Sequence, residues 1–210
     1  METQMERLTT SEAAVAAGVS IPQIHRIIDE RILPEDLYST TQMRTFRTDA
    51  CVLIAFYFET AELLTAQARH RAIRNVLSHC SGWNGWKDCV FQDHSVTVRF
   101  DGIWTGVAER LHKLEEAREA VIEDPEILSG TPVIKGTRVP VYDVAAMVEA
   151  GVSIEEILET YPSLKSSQVE LAPVYARAVP PMGRPRRNPS TLPIGKSYIK
   201  KRLRPSSMEG

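Results

Sequence analysis

Three sets of residues have types and spacings suited to chemistry, and all three suit recognition better than catalysis. The first is Ser20, Gln23, His25 and Arg26, with Arg31, Arg44 and Arg47 downstream. Gln and Arg offer paired hydrogen bonds to base edges in a DNA major groove. A serine at a helix start binds phosphate together with the free backbone N–H groups there. Flanking arginines suit phosphate oxygens, which position a protein on a duplex without reading its sequence. The second set is a basic C-terminal run: Arg184, Arg186, Arg187, Lys200, Lys201, Arg202 and Arg204, interleaved with apolar Leu192, Ile194, Tyr198, Ile199 and Leu203. Guanidinium forks bind carboxylates and phosphates bidentately, so this run suits an acidic partner. The third is the loop from Gly130 to Pro140. There Lys135 and Arg138 either contact phosphate or serve packing, with Arg138 paired to a carboxylate.

Catalytic signatures are weak by comparison. His79, Cys80, Cys89 and His94 are zinc-ligand types, but His79 and Cys80 are adjacent and the cysteines lack the short knuckle spacing. They read as buried or incidental side chains. The sequence holds no Gly-x-Ser-x-Gly elbow, no Walker loop and no complete dinucleotide fingerprint. We therefore expect no metal, no cofactor and no enzymatic activity. Trp83, Trp86 and Trp104 read as fillers of a core or a dimer interface rather than base-stacking platforms.

The elements that must carry these residues follow from local patterns. Thr9 with Glu12 and Ser20 with Gln23 fit two capping boxes, each opening a short helix. Gly18 ends the first helix, and Pro22 is tolerated in the first turn of the second. Ile21, Ile24, Ile27 and Ile28 recur at helical spacing and give that helix an apolar face. Residues 1–48 are thus expected to form a helix-turn-helix, with the polar stretch Arg31–Arg47 as a wing. Residues 49–121 begin with a long helix capped by Asp49 and running to Leu77, apolar all round at its start and therefore buried. Cys89–Gln92 pairs with Val96–Phe100 as a hairpin. Trp104, Val107, Leu111 and Leu114 then form a narrow seam, rejoined by Val121, of the kind used in dimer contacts. Residues 122–179 read as a strand-and-turn region followed by three short helices, near Asp143–Glu149, from Ser153 to Tyr161, and from a Ser167–Glu170 cap to Ala178. Pro173 inside the last would remove one hydrogen bond and kink the axis.

Composition and charge sharpen this outline. The longest apolar run, Ala50 to Phe58, is nine residues, well short of the roughly 20 that span a bilayer. The N-terminus has no signal-peptide stretch. Neither feature suggests membrane association, and three cysteines, an odd count, suit a reducing cytoplasm. The net charge of −2 is the sum of two unlike parts: residues 1–179 carry net −9 and residues 180–210 carry net +7. Six of the 13 prolines lie in 180–210. That segment has too little apolar surface to offset its ordering entropy, so it is expected to order on a partner.

The run DPEILSGTPVIKGTRVPVYDVAAMVEAGVSIEEILETYPSL closely resembles the domain-of-unknown-function 433 family. That resemblance implies a compact helical, DNA-binding-type domain and a place in the antitoxins of type II toxin–antitoxin modules. Pro173 departs from the family's Ala-rich last helix. The run LTTSEAAVAAGVSIPQIHRIIDERILP resembles the excisionase and MerR-like helix-turn-helix proteins. Together they make the chain similar to a VapB-type antitoxin with an added N-terminal DNA-binding domain. The implied partners are a cognate PIN-like ribonuclease toxin, operator DNA and a second copy of the chain. The tail arginines would then displace Mg²⁺ from the toxin's carboxylates, with Leu192, Ile194, Tyr198, Ile199 and Leu203 as anchors. Gly183-Arg184-Pro185-Arg186 also resembles an AT-hook core, with Met182 where that motif prefers arginine, so minor-groove binding stays open. The alternative to the antitoxin is a helix-turn-helix transcription regulator without a toxin, sensing an effector through the central region. The expected fold is mainly α with a small β-hairpin.

Overall fold

The structure, a computed structural model, describes residues 7–41, 43–80, 82–93 and 96–181. It is mainly helical with small antiparallel sheets. The chain begins with β1 (Arg7–Thr9), α1 (Thr10–Ala17) and α2 (Ile21–Asp29). Thr9 ends the strand and caps the helix: its backbone N–H donates to Glu12 Oε2 at 2.8 Å, and its hydroxyl accepts from Glu12 N–H at 3.3 Å. Ser20 and Gln23 repeat the reciprocal pair at α2. Between the two helices Gly18 adopts φ 71°, the left-handed conformation that glycine takes without a Cβ penalty.

A 3-10 turn (Glu35–Leu37) leads into β2 (Tyr38–Ser39) and β3 (Thr45–Arg47). β3 is the central strand of an antiparallel sheet ordered β1-β3-β2, with Leu8 opposite Phe46 and Tyr38 also opposite Phe46. Phe46 points into the core and is fully buried.

The long helix expected from Asp49 to Leu77 is two helices, α3 (Ala50–Glu59) and α4 (Ala66–His79). Two threonines make the break. The Thr60 hydroxyl turns back to donate to the Phe56 carbonyl at 2.7 Å, and Thr65 Oγ1 accepts from Ala68 N–H at 3.2 Å to start α4. Threonine side chains compete in this way for backbone groups at helix ends. Asp49 does not cap α3. Its buried carboxylate is gripped by both Arg47 Nη2, at 2.6 Å, and Arg47 Nε, at 3.1 Å. The apolar run does lie in the core: every residue from Ala50 to Tyr57 is buried.

A short helix, α5 (Gly82–Gly85), precedes the hairpin β4 (Val90–Asp93) and β5 (Val96–Arg99). Cys80 and Cys89, read from the sequence as buried or incidental, form a disulfide between the end of α4 and the start of β4. Only Cys51 is free, fully buried, and burial pushes its thiol up to about 12. Phe100, expected in the strand, is the first residue of α6 (Phe100–Glu119).

α6 packs against α1, α3 and α9. Val107 and Leu114, the seam expected to face a partner, are buried within this chain instead. Val121 has left the helix and lies in β6 (Val121–Ile122), which pairs with β7 (Val133–Ile134). Then come α7 (Val141–Glu149), α8 (Ile154–Thr160) and α9 (Ser166–Ala178). The Ser153–Glu156 capping box opens α8. α9 starts earlier than expected. Gln168 Oε1 accepts from Lys165 N–H at 3.0 Å, so Ser167 and Glu170 lie inside the helix. α9 continues through a buried Pro173.

The apolar side chains form two clusters. One joins residues of 1–48 with residues of 49–114, so the cut at 48/49 divides one core. The other is built from Ala117 to Tyr175, and Val179 touches both. Within the second, the Tyr175 hydroxyl donates to Glu123 Oε1 at 3.0 Å, and the Tyr142 and Tyr175 ring centroids lie 6.2 Å apart. Burial first, then Glu123, push the Tyr175 phenol above its ordinary range. Tyr175→Phe is expected to cost about 1 kcal/mol in chemical denaturation at neutral pH. The stabilisation from the neutral phenol is complete below the unfolded tyrosine range near pH 10 and fades as pH rises through it. The cost of Tyr175→Phe should therefore shrink above about pH 10; an unchanged cost there would refute the assignment.

No helix among the described residues is long and apolar enough to cross a membrane. Residues 1–180 form one compact unit. The tail candidates Arg184, Arg186, Arg187, Leu192, Ile194, Tyr198, Ile199, Lys200, Lys201, Arg202, Leu203 and Arg204 lie outside the described residues.

Candidate nucleic-acid interface

α2 divides cleanly into two faces. Ile24 and Ile27 are fully buried and fix the helix on the body, while Pro22, His25, Arg26 and Asp29 are exposed on the opposite side. Those four sit at i, i+3, i+4 and i+7, one continuous outward stripe. Ile21 departs from the expected apolar face: it is 40% exposed, at the rim of a groove described below. Among the candidate contacts on α2, Ser20 and Gln23 are committed to each other. Gln23 Oε1 accepts from both Ser20 N–H, at 2.8 Å, and the Ser20 hydroxyl, at 3.0 Å. That leaves the Gln23 amide NH₂ as its free polar group. Arg26 Nε donates to Glu30 Oε1 at 2.8 Å across an exposed i,i+4 pair. The hydrogen bond to Glu30 raises the guanidinium further above its ordinary range. Exposed pairs of this kind contribute little and exchange readily for phosphate or base.

The downstream arginines separate. Arg44 is exposed at the β2–β3 connection beside Met43, itself 65% exposed. Arg47 is held by the buried Asp49 and serves the sheet–helix junction. Arg31 takes a left-handed backbone conformation, φ 50°, and lines a groove of about 410 Å³ with His70 and Arg74. In the third segment Gly136 has φ 81°, as the Gly130–Pro140 loop needs. Lys135 contributes backbone only: its N–H donates to Ala120 O and its carbonyl accepts from Gln168 Nε2. Arg138 is exposed, with no carboxylate partner among the described residues.

No sequence signal points to a further set, Arg110, Lys113 and Arg177. Arg110 reaches from α6 to the end of α1, where Nε donates to Ala16 O at 2.8 Å and Nη2 to Ala17 O at 3.3 Å. A cation at a helix C-terminus satisfies orphan carbonyls and opposes the negative dipole end. It also fills the space beside Gly18, where a Cβ would meet Arg110 Cζ at 3.1 Å. Lys113 and Arg177 stand at the same place, lining a groove of about 510 Å³ with Val15, Val19, Ile21 and Val174. Among the described residues no group of His, Cys, Asp and Glu is arranged to hold a metal ion; Cys80 and Cys89 of the zinc alternative are bonded to each other.

Residues 121–176 match the family described as Protein of unknown function (DUF433). Over 204 residues the chain is 44% identical to the uncharacterized protein y4eO of Sinorhizobium fredii (strain NBRC 101917 / NGR234), covering 94% of this chain and 92% of that one. No solved structure matches the chain. Because that alignment takes in nearly the whole of both chains, the chain belongs to the same family as the Sinorhizobium fredii protein.

Proposed function

We propose that the protein is a DNA-binding antitoxin. As a homodimer it represses its own operon through α2 and the β2–β3 wing, and it neutralises a cognate PIN-like ribonuclease through residues 180–210. The observation that carries the DNA-binding half is the unit α1, Gly18 turn, α2 and β2–β3 hairpin, with Pro22, His25, Arg26 and Asp29 presented outward. A two-helix unit with a flanking hairpin is a docking geometry for a major groove, the second helix reading base edges. Charge supports local rather than bulk attraction: acidic residues outnumber basic ones in 1–179, so contact must come from a few placed side chains. Arg26 and His25 are those side chains on α2, and Arg44 supplies a phosphate contact from the wing. The toxin-binding half rests on the net +7 charge of 180–210 and its spaced apolar residues.

The test is operator binding by the His25→Ala/Arg26→Ala pair. Each good base contact contributes about 1–3 kcal/mol, so specific affinity should fall about ten- to a hundred-fold or more, with binding to unrelated DNA less affected. Specific affinity equal to the parent would move recognition away from α2. The second reading, a regulator without a toxin, is favoured by the groove at the α1–α2 turn, a place for an effector. Co-purification of a ribonuclease encoded beside this gene favours the antitoxin.

A further inference from the structure

The groove between α1, the start of α2, α6 and α9 has two unlike surfaces. Its apolar part is Ala14, Val15, Val19, Ile21 and Val174; its charged part is Arg110, Lys113 and Arg177. No carboxylate lines it. That is notable because residues 101–179 hold 14 acidic and seven basic side chains. Three of those seven cations converge on one groove, from helices that are distant in sequence.

The three cations are not equivalent. Arg110 is occupied by the Ala16 and Ala17 carbonyls, and its Nη2 lies 3.9 Å from Glu59. Arg177 Nε donates to Pro173 O at 3.1 Å, which leaves its two terminal NH₂ groups open. The residues one turn before it on α9 are Pro173 and Val174, so the helix offers it no carboxylate. Lys113 is exposed and within ion-pair distance of no carboxylate among the described residues. An acidic body thus keeps two unneutralised cations beside an apolar floor, with Ile21 displaced from the core to extend that floor.

We infer that this groove is a binding site for a small amphipathic organic anion, a carboxylate or sulfonate with an apolar body. The anionic head lies between Lys113 and Arg177, and the apolar body lies along Val15, Val19, Ile21 and Val174. The volume of about 510 Å³ falls in the range of small-molecule sites. Ser20 and Ile21 begin α2, so an occupant touches the start of the DNA-facing helix and α9 at once. On the DNA-binding reading alone, occupancy then alters operator affinity; binding itself does not depend on that reading.

The test is a fluorescence titration of the full-length protein with the anionic dye anilinonaphthalene sulfonate, using decanoate and decanol as competitors. Saturable binding at one site per chain is expected, with displacement by decanoate at concentrations at least ten-fold lower than by decanol. Lys113→Glu/Arg177→Glu should weaken dye binding at least ten-fold, and Lys113→Gln/Arg177→Gln should weaken it less. Both cations are exposed, so either pair should keep the parent melting midpoint; if the Glu pair fails to fold, the Gln pair decides. Lys165→Glu, at the start of α9 and outside the groove, should bind dye as the parent does. Unchanged dye affinity in the folded pair variants, or equal displacement by decanol and decanoate, would overturn the inference. Loss of operator binding by His25→Ala/Arg26→Ala with dye binding intact would separate the two sites.

Discussion

Removal of residues 182–210 is expected to abolish toxin neutralisation, with at least a hundred-fold loss of affinity for the toxin, about 3 kcal/mol. The melting midpoint and operator binding of the remaining body should stay those of the full chain. The residues removed carry all eight cations of 180–210, and the apolar residues spaced among them suit a segment that gains structure on a partner. The body that remains carries net −9, the wrong sign for an acidic catalytic cleft. Among the described residues the two apolar clusters are complete by Val179, so truncation leaves both intact. Ribonuclease activity measured with the full and truncated proteins decides it: full neutralisation by the truncated chain would place the toxin contact on the body. Charge reversal of Arg184, Arg186 and Arg187 together, in the intact chain, should reproduce most of the loss if the acidic cleft is the target.

How much of this was legible before the fold was known depends on the range of each signal. Thr9 with Glu12, Ser20 with Gln23 and Ser153 with Glu156 are reciprocal pairs three residues apart, and each forms as the sequence predicts. Gly18 and Gly151 end helices with left-handed backbone for the same local reason. Pro173 ends nothing, because the buried face of α9 outweighs one lost hydrogen bond. The break between α3 and α4 was missed because Thr60 and Thr65 are also tolerated inside helices; only their hydrogen bonds to Phe56 O and from Ala68 N–H show the ends. The α6 seam was visible, but its partner was not. A stripe of Val107 and Leu114 looks the same whether it faces a second chain or α1, α3 and α9 of its own. Of the DNA-facing candidates, His25, Arg26 and Arg44 reach the surface as expected. Arg47 is only part-exposed, because a neighbour two residues away, Asp49, holds it. The convergence of Arg110 and Arg177 on the α1–α2 turn has no one-dimensional trace, since the Arg110–Ala16 hydrogen bond spans 94 residues.

Glu12 joins the two ranges in a single side chain, and Glu12→Ala is expected to destabilise the protein by about 3 kcal/mol. One carboxylate oxygen accepts from Thr9 N–H at 2.8 Å and completes the cap of α1; the other accepts from Arg118 Nη2 at 2.6 Å, across 106 residues, from the last turn of α6. Only 10% of the Glu12 side chain is exposed, against 29% of Arg118. Losing the cap alone costs about 1 kcal/mol. Removing one partner of a largely buried charge pair costs about 3–5 kcal/mol. Arg118 can relax partly into water, which places the sum near the lower end of that range. Glu12→Gln separates the contributions: its amide oxygen keeps the Thr9 hydrogen bond, so most of its smaller loss, about 1–2 kcal/mol, comes from the ion pair with Arg118. Arg118→Ala strands the more deeply buried partner and should cost at least as much as Glu12→Gln. Chemical denaturation of the three variants measures these differences, and a loss below about 0.5 kcal/mol for Glu12→Ala would show that the contact is not a stabilising one. The consequence reaches the surface proposed to bind DNA, since α1 is the helix on which α2 is set. Loosening its N-terminus should weaken operator binding by Glu12→Ala even though Glu12 itself is buried away from any ligand.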